Sequence, residues 1–158
     1  MGVMFDLDVA APSHTRSIPA YAWVNKTITA HSLTHKWEGF VWMNPPFGKR
    51  NGLAPWLDKF FAHGNGVALT PDRTSTDWWQ DAAWKASGIL FVRSKIKFIK
   101  PDGTTGDLPG TGTTLFAAGP RGKEALENAA QAHLGFLAVQ DKPVTLDSSN
   151  VLRLHSDE

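Results

Sequence analysis

Four residues, Asn44-Pro45-Pro46-Phe47, carry the most specific chemistry in this chain. They follow directly on Gly39-Phe40-Val41-Trp42-Met43, a short apolar run of strand type that stops at turn-forming residues. Each proline pushes the residue before it into an extended conformation, and neither proline nitrogen carries a hydrogen. The segment therefore presents acceptors and few donors. The Asn44 side-chain oxygen and the Pro45 carbonyl can converge on the two hydrogens of one –NH2 group. An exocyclic amine conjugated to a heteroaromatic ring is a poor nucleophile, because its lone pair is spread into the ring. Two acceptors gripping its hydrogens draw it toward tetrahedral geometry and localise that pair. Phe47 can stack on the ring and fix its orientation. Positioning and electrostatics of this kind supply most of the rate in a transfer to nitrogen. Read as structure alone, the same residues are a strand, a Pro-Pro turn and a buried Phe.

The composition narrows what such a site can belong to. With 158 residues, 42% hydrophobic and 20% charged, the chain has the make-up of one globular domain. No apolar run approaches the roughly 18 residues of a membrane-spanning helix. The opening Met-Gly-Val-Met-Phe-Asp-Leu-Asp puts acids where a signal peptide needs a basic start. Cysteine is absent, which excludes disulfides, thiolate zinc sites, iron–sulfur clusters and cysteine nucleophiles, and is compatible with a reducing cytosol. Sixteen basic and fifteen acidic side chains give a net charge of +1, so any contact with nucleic acid must come from a local patch. Seven Trp and nine Phe offer flat surfaces for stacking as well as for a core. His31 and His35 would share one face of a helix, but with no cysteine and no His-Glu-x-x-His pattern no metal site is expected. No Ser-His-Asp arrangement is readable.

The elements that must position the tetrapeptide follow from apolar patterning. Met1–Leu7 reads as a strand end, and residues 9–39 as mostly loop with a short strand around Thr27–Ile28. Leu53–His63 predicts a helix, with Pro55 tolerated in its first turn and Gly64 as its stop. Gly66–Thr70 is a buried strand ended by Pro71, and Ser75 or Thr76 can cap a helix from Asp77 to Ala86. Ile89–Ile99 alternates like one or two strands with a basic face. Residues 100–113 form a Gly/Pro-rich loop long enough to be functional. Thr114–Ala118 predicts a strand, Gly122–Leu134 a helix and Gly135–Val139 a short strand. Gly110-Thr111-Gly112 precedes a strand instead of following one, the reverse of a dinucleotide fingerprint, and reads as a turn. Residues 1–145 are expected to form one domain, with 146–158 as a polar tail. Alternating strands and helices argue for an α/β sheet, whose ligands sit beyond the carboxyl ends of the strands.

Asn-Pro-Pro-Phe matches the [Asp/Asn/Ser]-Pro-Pro-[Tyr/Phe/Trp] motif of S-adenosylmethionine-dependent amino-methyltransferases. More closely, the chain resembles the small phage-type DNA N6-adenine methyltransferases of the Dam family. The resemblance is carried by FDLDVAA (5–11), SLTHKW (32–37), VWMNPPF (41–47), ALTPDRTSTDWW (68–79) and RSKIKF (93–98), and spans residues 5 to about 118. It implies a minimal Rossmann-like methyltransferase fold, a mostly parallel sheet with helices on both faces. It also implies that Asn44, Pro45, Pro46 and Phe47 are catalytic, and that Phe5, Asp6, Asp8 and Ala10, together with Asn44, hold S-adenosylmethionine. Asp6 or Asp8 would take its amino or ribose hydroxyl groups, and a carboxylate at a strand end is in any case well placed to accept from an ammonium or a hydroxyl. The usual glycine-rich first turn is replaced here by Ala10, Ala11 and Ser13. A sulfonium nucleoside brings no phosphates, so a phosphate-cradling loop is not required.

The implied substrate is double-stranded DNA, with adenine flipped out because its amine is otherwise locked in a base pair. Lys49 and Arg50 follow the tetrapeptide where a flanking phosphate would pass, and Arg73 follows the next strand. Arg93, Lys95 and Lys97 alternate along one expected strand face, a row suited to tracking phosphates, with Lys100 beyond them. Of Trp78 and Trp79, one could wedge or stack on a base while the other belongs to the core. No metal and no membrane is implied, either a monomer or a dimer is compatible, and the setting would be a bacterial cytoplasm with a phage or prophage gene as source. Two other readings use the same residues. The motif also occurs in enzymes acting on protein glutamine, and an RNA base is a further acceptor. The missing glycines would also suit a catalytically silent DNA-binding relative.

Overall fold

A computed structural model describes residues 2–11, 18–25, 29–47, 52–100 and 102–140. Among them, β1 (Phe5–Ala11), β2 (Ala20–Asn25), β3 (Val41–Met43), β4 (Gly66–Pro71), β5 (Gly88–Val92), β6 (Thr113–Ala118) and β7 (Gly135–Ala138) form one sheet. Its order is β2-β1-β3-β4-β6-β5-β7. The helices are α1 (Thr29–Thr34), α2 (Ala54–His63), α3 (Asp77–Lys85) and α4 (Gly119–Gln131).

The α/β class holds, but the sheet is mixed. β1 pairs in parallel with β2 and β3, and β3 with β4. β6 runs antiparallel to both β4 and β5, and β7 antiparallel to β5. The expectation of a mostly parallel sheet is thus corrected on one half. A parallel neighbour needs a crossover, usually helical, and no helix is described between Val92 and Thr113, so the chain returns beside β5 in the opposite sense.

Helices do cover both faces. Alternate strand residues point to opposite sides, and the two cores follow that alternation. On one side Trp56, Leu57 and Phe60 of α2, with Trp79 and Ala82 of α3, pack against Val9, Val41, Met43, Ala68 and Phe116. On the other, Ala125, Leu126 and Ala129 of α4 pack against Val67, Leu69, Leu90 and Leu115. The contacts of α4 concentrate on β4, β5, β6 and β7. That placement leaves room over the β1 and β3 part of the same face.

Helix ends match their local chemistry. Gly64 ends α2 in the left-handed region (φ 75°), with its N–H on the Phe60 carbonyl. α4 starts at Gly119 with Pro120 in its first turn, three residues before the expected start, and the chain leaves it through left-handed His133. β2 lies where a loop is expected. It is an edge strand with Tyr21 and Trp23 exposed, held by its backbone ladder to β1 more than by burial, so apolar alternation gives it away poorly. The strand expected around Thr27–Ile28 and the tail at 146–158 lie outside the described residues.

Candidate active site

Because β1, β3, β4 and β5 all point the same way, their carboxyl ends share one edge of the sheet. Pairing of Pro71 with Thr113 places the start of β6 there as well. A cavity of about 720 Å³ opens at this edge, within the usual size range of small-molecule sites. Asp8 and Ala10 of β1 line it, as do Trp42 of β3 and all four residues Asn44, Pro45, Pro46 and Phe47. Leu69 and Leu115 contribute from β4 and β6, and Ile18, Val92 and Leu134 complete its apolar part. The segment after β5 supplies a further wall through Ile96, Lys97, Phe98, Ile99 and Pro109.

The tetrapeptide is graded in exposure. Pro45 is buried, Asn44 is half-buried, and Pro46 and Phe47 face solvent, with Phe47 39% exposed. The acceptors thus sit at the inner end and the aromatic ring at the rim. Asp8 is only 7% exposed, and its Oδ1 accepts the N–H of Ala10 at 3.1 Å. The carboxylate is thereby oriented from its own strand end. α1 is tied beneath the same strand, where the buried Ser32 hydroxyl donates to the Val9 carbonyl.

The structure separates the four cofactor candidates of β1. Asp8 and Ala10 line the cavity, whereas Phe5 and Asp6 do not. Phe5 is a core residue stacked on Phe40, with ring centroids 4.9 Å apart. Asp6 Oδ2 accepts the Phe40 N–H at 2.6 Å and Nη1 of Arg121 at 3.2 Å. The physical reason is strand rise. Two residues along a strand are roughly 6–7 Å, enough to put Asp8 at the open edge and Asp6 back toward the amino end of β1.

The cationic candidates divide as well. Lys49 and Arg50 lie outside the described residues. Arg73 is exposed in the turn after β4, at the cavity edge of the sheet, where its carbonyl accepts the Thr76 hydroxyl at 2.8 Å. Arg93, Lys95 and Lys97 are exposed, but the strand row expected of them is not formed. β5 ends at Val92, and Ser94 adopts a left-handed conformation (φ 63°) that breaks the ladder. Lys97 lines the cavity, and Lys95 Nζ donates to the Gly110 carbonyl at 3.2 Å. Trp79 is the core member of its pair, its Nε1 donating to Thr114 Oγ1 at 3.2 Å. Trp78 lies in a separate groove between α2 and α3, beside Asp58, Asp77 and Asp81.

Sequence reasoning did not find the apolar wall. Its signal is Ile96-Lys97-Phe98-Ile99, an apolar run interrupted by one lysine within a basic stretch. In space it leads into a short hairpin. Ile99 bridges Thr105, the Lys100 N–H donates to the Thr104 carbonyl at 2.8 Å, and the Gly106 N–H to the Phe98 carbonyl at 2.8 Å. Asp102 Oδ1 accepts both the hydroxyl (2.6 Å) and the N–H (2.9 Å) of Thr104, closing the turn. Those bonds, the hydroxyl's first, hold the Asp102 carboxyl below its ordinary value.

Among the described residues no helix is long and apolar enough to cross a membrane, and no cluster of three or more His, Asp or Glu could hold a metal ion. A family model described as DNA N-6-adenine-methyltransferase (Dam) matches residues 1–114. That span holds every cavity-lining residue except Leu115 and Leu134. No curated protein and no solved structure matches the chain.

Proposed function

The chain belongs to the DNA N-6-adenine-methyltransferase (Dam) family, and from that premise we propose that it methylates N6 of an adenine flipped out of duplex DNA. The methyl donor in this reading is S-adenosylmethionine. The observation that carries it is that Asn44, Pro45 and Phe47 open on the same cavity as Asp8 and Ala10, so an amine-gripping site and a nucleoside-sized space adjoin. The parallel β1–β4 half, with its ligand cavity at the carboxyl edge, supports reading the sheet as a pared-down Rossmann-like methyltransferase fold.

The residues present fit the cofactor. Apolar walls suit a nucleoside ring, and the Asp8 carboxylate is an acceptor for an ammonium or a ribose hydroxyl. S-adenosylmethionine supplies, when bound, a methyl group whose C–S bond breaks as the N–C bond to the amine forms, leaving a neutral thioether. The chain does the positioning. Asn44 Oδ1 and the Pro45 carbonyl accept the two N6 hydrogens and localise the lone pair. Neither Pro45 nor Pro46 has an N–H to compete for that pair. Phe47 stacks on the extruded base at the rim, and the apolar walls keep water from the reacting nitrogen. One N6 hydrogen leaves as a proton to bulk water after transfer. Arg73, Arg93, Lys95 and Lys97 share the cavity edge and would meet phosphates on either side of the base, as would Lys49 and Arg50.

The test is expression in a host without adenine methylation, followed by long-read mapping of modified adenine on plasmid DNA. One short methylated sequence is expected. Asn44→Ala should lower transfer by about 100- to 1,000-fold while the thermal shift produced by S-adenosylmethionine persists. A radiolabelled methyl group appearing in RNA or protein but not in DNA overturns the substrate assignment. No thermal shift with the cofactor overturns the enzymatic one.

A further inference from the structure

We propose that Ile99 is the side chain that fills the gap in the duplex when the adenine leaves it. The assignment rests on the methyl-transfer reading above and names the part of the chain that makes flipping favourable. Extruding a base breaks its pairing and two stacking contacts, and proteins that unstack a duplex commonly place an apolar side chain in the space. Such a side chain must be exposed in the free protein, stand at the mouth of the base pocket, be carried on a stiff support and lie between cations.

Ile99 meets all four conditions. It is 59% exposed, yet it lines the same cavity as Asn44 and Phe47. Its neighbour Phe98 is half-buried and packs against the core on the α4 side of the sheet while also lining the cavity, whereas Ile99 stays exposed at the mouth. The support is the hairpin itself, bridged at Ile99 and Thr105 and closed by the Asp102–Thr104 bonds. Lys97 and Lys100 flank it, both exposed. Three other apolar or aromatic groups serve less well. Leu108 is 60% exposed but does not line the cavity. Trp78 occupies the groove between α2 and α3, and Phe47 is already the stacking partner of the base.

The experiment uses a duplex carrying the mapped site, with 2-aminopurine at the target adenine for a fluorescence readout of flipping. A second duplex has an adenine target facing an abasic position, where no pairing opposes extrusion. Ile99→Ala should lower methylation of the fully paired duplex by about tenfold or more, and lower the 2-aminopurine signal with it. On the abasic duplex the loss should shrink to about threefold or less. Ile99→Leu, which keeps an apolar wedge, should stay within about threefold of the unaltered protein on both duplexes. Melting temperature and the cofactor-induced thermal shift report whether Ile99→Ala leaves the fold and cavity intact. Equal losses on the two duplexes, or no loss on either, overturn the assignment while leaving the methyltransferase reading standing. If the unaltered protein methylates neither duplex, that reading fails and this one falls with it.

Discussion

Asp6 and Asp8 stand two residues apart on β1, and replacing each should separate fold from function. Asp6 accepts the backbone N–H of Phe40 at 2.6 Å, and Phe40 is 0% exposed. Removing the carboxylate leaves that amide without an acceptor, a loss of about 1–3 kcal/mol. The Arg121 bridge at 3.2 Å joins side chains that are half-exposed, so it adds only about 0–1 kcal/mol. Asp6→Ala should therefore destabilise by about 1–4 kcal/mol. In a chain of this length each kcal/mol moves the melting temperature by about 2–4 °C, so a fall of about 2–16 °C is expected. Binding of S-adenosylmethionine, followed by calorimetry well below the melting temperature, should change by less than about twofold, because Asp6 does not line the cavity. Asp8→Ala should do the opposite. Losing a hydrogen bond to an ionised group is worth about 1.5–3 kcal/mol, which weakens binding by about 10- to 100-fold. Its structural part includes the Ala10 N–H at 3.1 Å, about 1 kcal/mol. Should Asp6→Ala weaken cofactor binding as much as Asp8→Ala with no fall in melting temperature, the division of roles along β1 is wrong.

Two further outcomes follow from the same geometry. Gly39 has φ +72°, and a Cβ there would lie 2.6 Å from Asp6 Cβ and Oδ2; Gly39→Ala should cost about 1–3 kcal/mol in chemical denaturation. Hydrogen bonds from Thr104 depress the Asp102 carboxyl, so the turn's stabilisation is fully present above the ordinary carboxylate value and is lost as pH falls through the lowered one. Amide protection at Thr104 should be level above about pH 5 and fall only in stronger acid, and Asp102→Ala should reproduce the acid behaviour at neutral pH.

What the sequence reveals, and what it hides, tracks where the information lies. The tetrapeptide is legible because its chemistry is local. Two prolines after an apolar run end the strand and leave the four residues at the sheet edge, where they line the cavity. α2 and α3 are legible because Gly64, Pro55 and Thr76 punctuate them. The choice between Asp6 and Asp8 is not legible, since both are carboxylates on one strand and only the register against Phe40 and the sheet edge tells them apart. The strand row of Arg93, Lys95 and Lys97 fails for a related reason. Alternation from Ile89 to Ile99 looks continuous, while the left-handed turn at Ser94 belongs to a residue type that gives no strong warning. β2 escapes because an edge strand with exposed aromatics lacks the buried face on which periodicity depends.

The cavity wall that sequence does not reveal ties these parts together. α4 packs toward β4–β7, so no described helix roofs the cavity over β1 and β3, and the link between β5 and β6 supplies much of its wall. That link lines the cavity with Ile96, Lys97, Phe98 and Ile99, packs Phe98 against the core as well, and exposes Lys95, Lys97 and Lys100. One segment is therefore both the wall of the proposed nucleoside pocket and the surface nearest the proposed duplex. In the proposed reading, contact with the duplex and enclosure of the amine are then carried by one segment of a fold with little cover over that edge.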